Sequence, residues 1–317
     1  MRDEFGRTVR YLRLSVTDRC NCRCQYCMPA DGVALMTHDD ILSFEEMRDI
    51  VAAAASLGVR KVRLTGGEPL VRRDIVKLVS MISDVEGIDE LVMTTNATLL
   101  APLASDLRLA GLSRLNISLD TLDPARYAAI TRRGSLSDAL AGIRAAEEAG
   151  FVHTKINCVL IGGVNDRDDD IASLAGLACS HDFSVRFIEL MRMGECACWP
   201  ESRFVAGEAV LEALPELKPI GRDGVAELYQ APGWRGTVGL IRPMTHRFCK
   251  DCDRIRITAD GMLKPCLHSR AEIPLRGLAG DELVQALRRG ILSKPAGHTM
   301  SRCCASNSVR AMNEIGG

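Results

Sequence analysis

Cys20, Cys24 and Cys27 stand in one short segment with the spacing C-x3-C-x2-C. Three thiolates so placed can hold three irons of a cubane cluster and leave the fourth iron open to a small ligand, which is a catalytic arrangement. A structural zinc site takes four closed ligands, and Cys22 could supply the fourth, so zinc stays open for this stretch read alone. Toward the end of the chain Cys249, Cys252 and Cys266 give C-x2-C-x13-C, again three thiols, with His246 or His268 able to complete a zinc ribbon. Arg254 and Arg256 follow two apart; on a strand they face the same way, and paired guanidiniums grip phosphate or carboxylate bidentately. Cys196, Cys198, Cys303 and Cys304 match no motif and read as free thiols, and Cys158 and Cys179 read as core residues.

The elements that must position these residues are legible in alternation. Strands are predicted at 11–16, 61–65, 90–95, 114–119, 154–160 and 184–188, separated by helical stretches. Ser43 and Glu46 form a capping box before a helix over 47–57 that Gly58 stops. Asp123-Pro124 opens another helix, and Ser135 caps a third over 136–149 that Gly150 ends. Such repetition predicts a parallel sheet with right-handed crossovers. Arg13, Ser15 and Thr17 share one strand face, as do Arg63 and Thr65, Thr94 and Asn96, Asn116, Ser118 and Asp120, and Lys155 and Asn157; the opposite faces are apolar. A parallel sheet covered on both sides is apolar on both, so a recurring polar face predicts a cavity inside a partial barrel. Beyond 188 the pattern breaks: a helix near 208–214, a linker over 215–224, short strands near 227–229 and 237–241, and a hairpin of 254–258 with 262–267 through Asp260-Gly261. The expected division is a core over 1–224 and a small module over 225–317.

Composition narrows the function. The 317 residues carry 40 Lys and Arg against 41 Asp and Glu, a net charge of −1, and only 4% aromatics, which offers nucleic acid neither a basic field nor stacking platforms. No apolar run is long enough to span a membrane, and Met1-Arg2-Asp3-Glu4 lacks the core of a signal peptide, so a cytoplasmic protein is expected. Thirteen cysteines, an odd number in tight local spacings, point to metal rather than a disulfide framework. Five cations on the cavity-facing set of a near-neutral chain, Arg13, Arg63, Lys155, Arg254 and Arg256, imply a polyanionic ligand.

The first cysteine motif, with Tyr26 before its last cysteine, resembles the radical S-adenosylmethionine (SAM) superfamily, and Gly66-Gly67-Glu68-Pro69 at the end of the second strand is similar to the motif that meets the methionine end of SAM there. The resemblance sharpens to the GTP 3',8-cyclases of molybdenum cofactor biosynthesis. It is carried by residues 11–21, 63–70, Thr94-Thr95-Asn96, 116–120, Lys155-Ile156-Asn157, 186–191, the second cysteine trio and the terminal Gly316-Gly317. It implies an incomplete (β/α)6 TIM-type barrel closed by the C-terminal module, two 4Fe-4S clusters, on Cys20, Cys24 and Cys27 and on Cys249, Cys252 and Cys266, and SAM. The first cluster would cleave SAM to a 5'-deoxyadenosyl radical that takes the C3' hydrogen of GTP, after which C3' joins C8; the second would hold the guanine. SAM contacts fall on Tyr26, Gly67, Asn96, Ser118 and Met191. GTP contacts fall on Arg13, Arg63, Thr94, Lys155, Arg254, Ile255 and Arg256, with Arg254 and Arg256 also counted as catalytic. The terminal glycines are expected to enter the active site.

Two departures are visible: Cys22, where the family often has an aromatic, and Ala97, where many relatives have Gly. The expected partners are an electron donor and a downstream pyranopterin-forming enzyme, with no nucleic acid and no membrane; a homodimer stays open. The rival expectations are a radical SAM enzyme that modifies a peptide and a non-catalytic zinc or iron-sulfur protein.

Overall fold

The computed structural model describes residues 1–301 and 305–316; the expectations for Cys303, Cys304 and Gly317 lie outside the described residues. Six strands come in chain order, β1 (Tyr11–Ser15), β2 (Lys61–Thr65), β3 (Glu90–Thr95), β4 (Arg114–Ser118), β5 (Lys155–Leu160) and β6 (Ser184–Glu189). They pair parallel with each neighbour in sequence, as helical crossovers require. The crossovers begin where local chemistry says they should. Ser43 and Glu46 cap α1 (Phe44–Ser56) reciprocally, the Glu46 N–H on Ser43 Oγ at 3.1 Å and the Ser43 N–H on Glu46 Oε2 at 2.8 Å. Further helices are α2 (Ile75–Ser83), α3 (Ala104–Leu109), α4 (Pro124–Thr131), which Asp123 caps, α5 (Leu136–Glu148), which Ser135 caps, α6 (Asp168–Ala175) and α7 (Leu177–Ser180). Their apolar faces, such as Met47, Ile50 and Val51 on α1 and Leu78, Val79 and Ile82 on α2, close over Leu12, Leu14, Val62, Leu64, Leu115, Ile117 and Ile156 on the outer face of the sheet.

After α8 (Ala209–Ala213) the chain adds strands to both edges. On one side β9 (Thr237–Ile241) pairs parallel with β6 and is followed outward by β8 (Ala226–Gln230) and β7 (Lys218–Asp223). On the other, β10 (Arg254–Ile257) pairs parallel with β1, then β11 (Met262–Lys264) and β12 (Ile273–Pro274) complete the edge. The chain continues through α9 (Gly280–Leu292) to α10 (Met312–Ile315). The result is one open sheet of twelve strands among the described residues. The hairpin through Asp260-Gly261 is present as expected. The linker over 215–224 is not: most of it is β7, whose six residues are all exposed, so backbone pairing to β8 makes the strand without any apolar alternation to announce it. The expected division at 224/225 passes through the turn between those two strands.

The sheet is rolled. Arg186 on β6 is held below the usual arginine range by burial, against the pull of Asp223, and then by repulsion from Arg114 and Arg63. Arg63 is on β2, four strands away in the sheet order, about 19 Å if the sheet were flat. The polar face that recurs from strand to strand is therefore the concave side of a partial barrel. Among the described residues no helix is long and apolar enough to cross a membrane.

Candidate active site

The loop that leaves β1 carries the first thiol trio and is fixed from several sides. The Arg23 and Gln25 N–H groups donate to Thr131 O and Ile130 O at 2.8 and 2.9 Å, which ties the loop to the end of α4. Arg23 Nη1 clamps Cys20 O and Cys22 O, and the Cys27 N–H turns back on Cys24 O at 2.8 Å. The next loop lies directly against it. Gly67 and Glu68 N–H donate to Thr17 O and Arg19 O, both at 2.8 Å. A Cβ at Gly66 would stand 2.4 Å from Thr17 O, and one at Gly67 2.2 Å from Arg19 O, so only glycine permits this approach. Glu68 then fastens the ends of β2 and β3: its carboxylate accepts from the Leu70 N–H, the Asn96 N–H and the Thr95 hydroxyl, while burial raises its pKa to about 7. Asp120 does the same for β4 and β5, accepting from the Val159 N–H and the Tyr26 hydroxyl at 2.9 Å each.

The trio's donor set fits an iron-sulfur cluster. A hydrogen bond from the Cys22 thiol favours the Cys20 thiolate, burial and then Cys27, Asp120 and Cys20 push Cys24 well up, and burial and Cys20 push Cys27 up to about 12. Half-buried thiols that oppose one another's ionisation are relieved by a cationic centre. Among the described residues no three His, Cys, Asp or Glu side chains converge on a point that would hold a single metal ion. Cys22 is buried and accepts from Asn96 Nδ2 at 3.4 Å.

Strand register builds the cationic wall. Arg256 on β10, Arg13 on β1 and Arg63 on β2 occupy one row, and Arg254, Tyr11 and Lys61 the row two residues earlier. Like charges directly opposite on neighbouring strands are destabilising. Burial first, then Arg256 and Arg63, drives Arg13 well below the usual range, and burial followed by Arg254 brings Arg256 down to about 10. Across the cavity Thr94, Asn116 and Lys155 share a row on β3, β4 and β5. Lys155 and Arg186 both donate to Asp223 Oδ2, at 2.5 and 2.6 Å, and burial with repulsion from Arg186 and Arg114 holds Lys155 at about 7. Arg63 Nε, Thr94 Oγ1, Asn116 Oδ1, Asn157 Oδ1 and Arg254 Nε are buried on this wall with no hydrogen-bond partner among the described residues. Orphaned polar atoms grouped this way define a surface for a polar, anionic ligand.

The second trio lies beyond β10. Cys249 and Cys252 flank a single turn, and Cys266 follows β11. Cys266 also lines a cleft of about 580 Å³ with His268, Pro295, Gly297, His298 and Met300. His246 faces Glu208 and Thr245, so it does not join the trio. Cys252 and Cys266 both act on Arg256 electrostatically. The C-terminal segment runs by both thiol sets: the Asn313 backbone favours the Cys27 thiolate, and three residues on Arg256 Nη1 donates to Gly316 O at 2.7 Å. Both trios thus border one interior, and Gly316 is inside it.

Tyr26, Gly67, Ser118 and Met191 all lie at or just beyond C-terminal strand ends on the same side as the first trio, the side where barrel enzymes place their chemistry. Asn96 is there too, but its side chain is engaged by Asn21, Cys22 and Thr98 and supports the first loop. Ile255 is fully buried on β10 between the two arginines. Ala97 adopts φ of 62°, a left-handed conformation that explains why glycine is the easier residue there. Cys158 is buried as expected, but Cys179, read as a core residue, is exposed on α7; Cys196 is buried with its thiol on Tyr26 O at 3.2 Å, and Cys198 is exposed. Sequence reasoning placed Glu68 in a motif and Asp120 on the polar face without giving either a role, and it did not single out Arg186 or Asp223. Strand parity could have found Arg186, two residues from inward-facing Ser184; Asp223 had no signal because β7 had none.

Comparison with known proteins agrees with this geometry. The radical SAM superfamily profile matches residues 14–175, and a profile described as Molybdenum Cofactor Synthesis C matches residues 183–300. Proteins named GTP 3',8-cyclase are similar over essentially their whole length: 46% identical in Alkaliphilus metalliredigens and 44% in Alkaliphilus oremlandii, each covering 100% of both chains, and 45% in Geobacter sulfurreducens, covering 99% of both. Among solved structures, SuiB of Streptococcus suis bound to its precursor peptide SuiA matches with TM-score 0.61 at 16% identity, over 91% of this chain and 66% of that one. An FeFe-hydrogenase maturase, HydG of Carboxydothermus hydrogenoformans, matches with TM-score 0.50 at 17% identity, over 66% and 52%. Both resemblances are of fold alone.

Proposed function

We infer, from the premise that this chain belongs to the GTP 3',8-cyclase family of the radical SAM superfamily, how its residues divide the work of that reaction. The chain is a radical SAM enzyme that cyclises GTP to (8S)-3',8-cyclo-7,8-dihydroguanosine 5'-triphosphate, the first step of molybdenum cofactor biosynthesis. We assign Cys20, Cys24 and Cys27 to a 4Fe-4S cluster, and Tyr26, Gly67, Ser118 and Met191, with Asn96 behind them, to SAM. When bound, that cluster and SAM supply a 5'-deoxyadenosyl radical able to take the C3' hydrogen of GTP. Cys249, Cys252 and Cys266 are assigned to a second cluster whose open iron would hold guanine.

The protein's own residues bind, orient and exclude water. Arg256, Arg13 and Arg63, set side by side by register, with Arg254 one row away, grip the triphosphate; Lys155 and Arg186 approach it from the opposite wall, and Thr94 and the Ile255 backbone fix its orientation. Gly316 and the turn before it fill the space between the two thiol trios and keep solvent from a radical that water and stray reductants would quench. The division at 224/225 is retained in this functional sense: the first part holds SAM, the second the guanine end. A lyase reaction in the cytoplasm, an external electron donor and a downstream enzyme for the product belong to the same proposal.

The observation that carries this reading is the arginine row between two thiol trios bordering one interior. Its test is anaerobic reconstitution with iron and sulfide followed by incubation with GTP, SAM and a reductant. About eight irons per chain are expected from two four-iron clusters, together with a cyclic GTP product. SAM cleavage that leaves GTP untouched, or that modifies a peptide instead, would overturn it.

A further inference from the structure

Among the described residues, every strongly buried cation outside the arginine wall has a carboxylate partner, with one exception. Lys264 pairs with Glu272, Arg7 with Asp3, Arg242 with Glu208 and Glu227, and Lys155 and Arg186 share Asp223. Lys294, just past the end of α9, is only 3% exposed, and among the described residues no carboxylate is within ion-pair reach of it. Its ammonium donates to Arg254 O at 2.5 Å and Pro265 O at 3.1 Å, and its remaining contact is Cys252 Sγ at 3.7 Å.

An ammonium taken out of water without an anion costs several kcal/mol, about the penalty of a buried unpaired ion. Two carbonyl dipoles satisfy its hydrogen bonds but not its charge. The group in contact that is able to carry negative charge is the Cys252 sulfur. The two carbonyls are equally placed: Arg254 is two residues after Cys252, and Pro265 immediately precedes Cys266. Lys294 therefore ties together the two segments that bring the second trio into one place. Its own position is set by α9, which lies so close to β11 that a Cβ at Gly290 would stand 2.0 Å from Leu263 Cδ2.

We propose that Lys294 is the counter-cation of the second thiolate set, a positioning residue that hydrogen-bonds the Cys252 sulfur and offsets the negative charge of the cluster those thiolates hold. This rests on the second-cluster reading above. A fixed positive charge stabilises the more negative, reduced form of a neighbouring cluster, so its removal makes the cluster harder to reduce.

The test uses the full chain carrying Cys20→Ala, Cys24→Ala and Cys27→Ala, so that only the second cluster contributes signal. Iron content decides the underlying reading first: about four irons per chain support it, and none would sink the second cluster whatever Lys294 does. On that background Lys294→Met, which keeps volume and removes charge, is expected to lower the reduced-to-oxidised ratio at a fixed solution potential at least about tenfold, equivalent to 59 mV for a one-electron couple. Lys294→Arg is expected to restore the ratio to within threefold of the parent. Should the Met chain fail to fold by circular dichroism, Lys294→Gln, which keeps a donor without the charge, is read by the same titration. A ratio unchanged in the neutral variant that folds overturns the proposal, as does a shift that Lys294→Arg shares in full.

Discussion

Gly67→Ala is the substitution whose consequence is best fixed by the geometry. The new Cβ would stand 2.2 Å from Arg19 O, 2.5 Å from Arg19 C and 2.8 Å from Asp18 O, all backbone atoms that no rotamer change can move. Carbon-to-oxygen contacts need about 3.3 Å, so the two loops must part by about 1 Å. They are held by the Gly67 N–H on Thr17 O and the Glu68 N–H on Arg19 O, both 2.8 Å. Overpacking costs about 1–3 kcal/mol and each strained or broken hydrogen bond about 1 kcal/mol. The total, about 3–5 kcal/mol, is within the stability of an ordinary domain, so the chain still folds. Cys20 follows Arg19 directly, and a displacement of about 1 Å between reacting partners costs about 100-fold in rate. The assay is reductive SAM cleavage without GTP, beside iron content and GTP titration. Cleavage should fall about 100-fold while GTP affinity stays within twofold, because the arginine row is built on the strands and not on these loops. Cleavage at the parent rate would refute the claim that this close approach sets the SAM geometry.

Two further outcomes follow from other parts of the wall. On the proposed assignment of Lys155 and Arg186 to the triphosphate, Asp223 would compete with phosphate for them, and it supports the Lys155 charge, whose pKa is depressed to about 7 by burial and by Arg186 and Arg114. Lys155 is charged below that value and neutral above it, so GTP affinity should weaken as pH rises through 7; Asp223→Asn should bind GTP more tightly at pH 6 and begin its loss at lower pH than the parent, as read by calorimetry. A parallel pH profile in the variant would count against this role for Asp223. Gly316 has φ of 67°, and a Cβ there would stand 2.1 Å from Thr65 Oγ1. In Gly316→Ala a left-handed alanine and the overlap cost about 2–5 kcal/mol together, enough to expel a four-residue helix. Hydrogen exchange at Met312–Ile315 should then quicken at least about 30-fold with the global unfolding midpoint unchanged; unaltered protection would place Gly316 elsewhere.

What was legible in the sequence was whatever repeats with strand parity or sits in a fixed local spacing. Arg13, Arg63, Thr94 and Lys155 were readable as one face because the opposite residues are apolar, and the rolled sheet puts them where that parity says. The caps at Ser43, Asp123 and Ser135 were readable because each needs only its next three residues. The strand Lys218–Asp223 was not, since its six exposed residues carry no buried alternation and its existence depends on pairing with residues 226–230. Asp223 was hidden with it. Glu68 and Asp120 were visible as letters in motifs, but their roles come from partners that lie 27 and 94 positions away, Thr95 and Tyr26, and only the fold brings these together. Lys294 had no local signal at all; its meaning lies in the carboxylate that no described neighbour supplies.

The arginine row also shows why a folded wall can hold charges that repel. Leu12, Leu14, Val62, Leu64, Ile255 and Ile257, on the outer faces of the same three strands, are all fully buried. Each such side chain contributes about 1.5–3 kcal/mol, against a repulsion of order 1 kcal/mol for each like-charged pair across the ladder. The outer face thus offsets what the inner face costs, and the backbone ladder fixes the guanidinium spacing before any ligand arrives. On the proposed assignment, a triphosphate meeting this row would find its charge neutralised by cations already in place. Asp223 fits the same logic from the other side. It is a half-exposed carboxylate at the end of an edge strand, and it pairs with both Lys155 and Arg186.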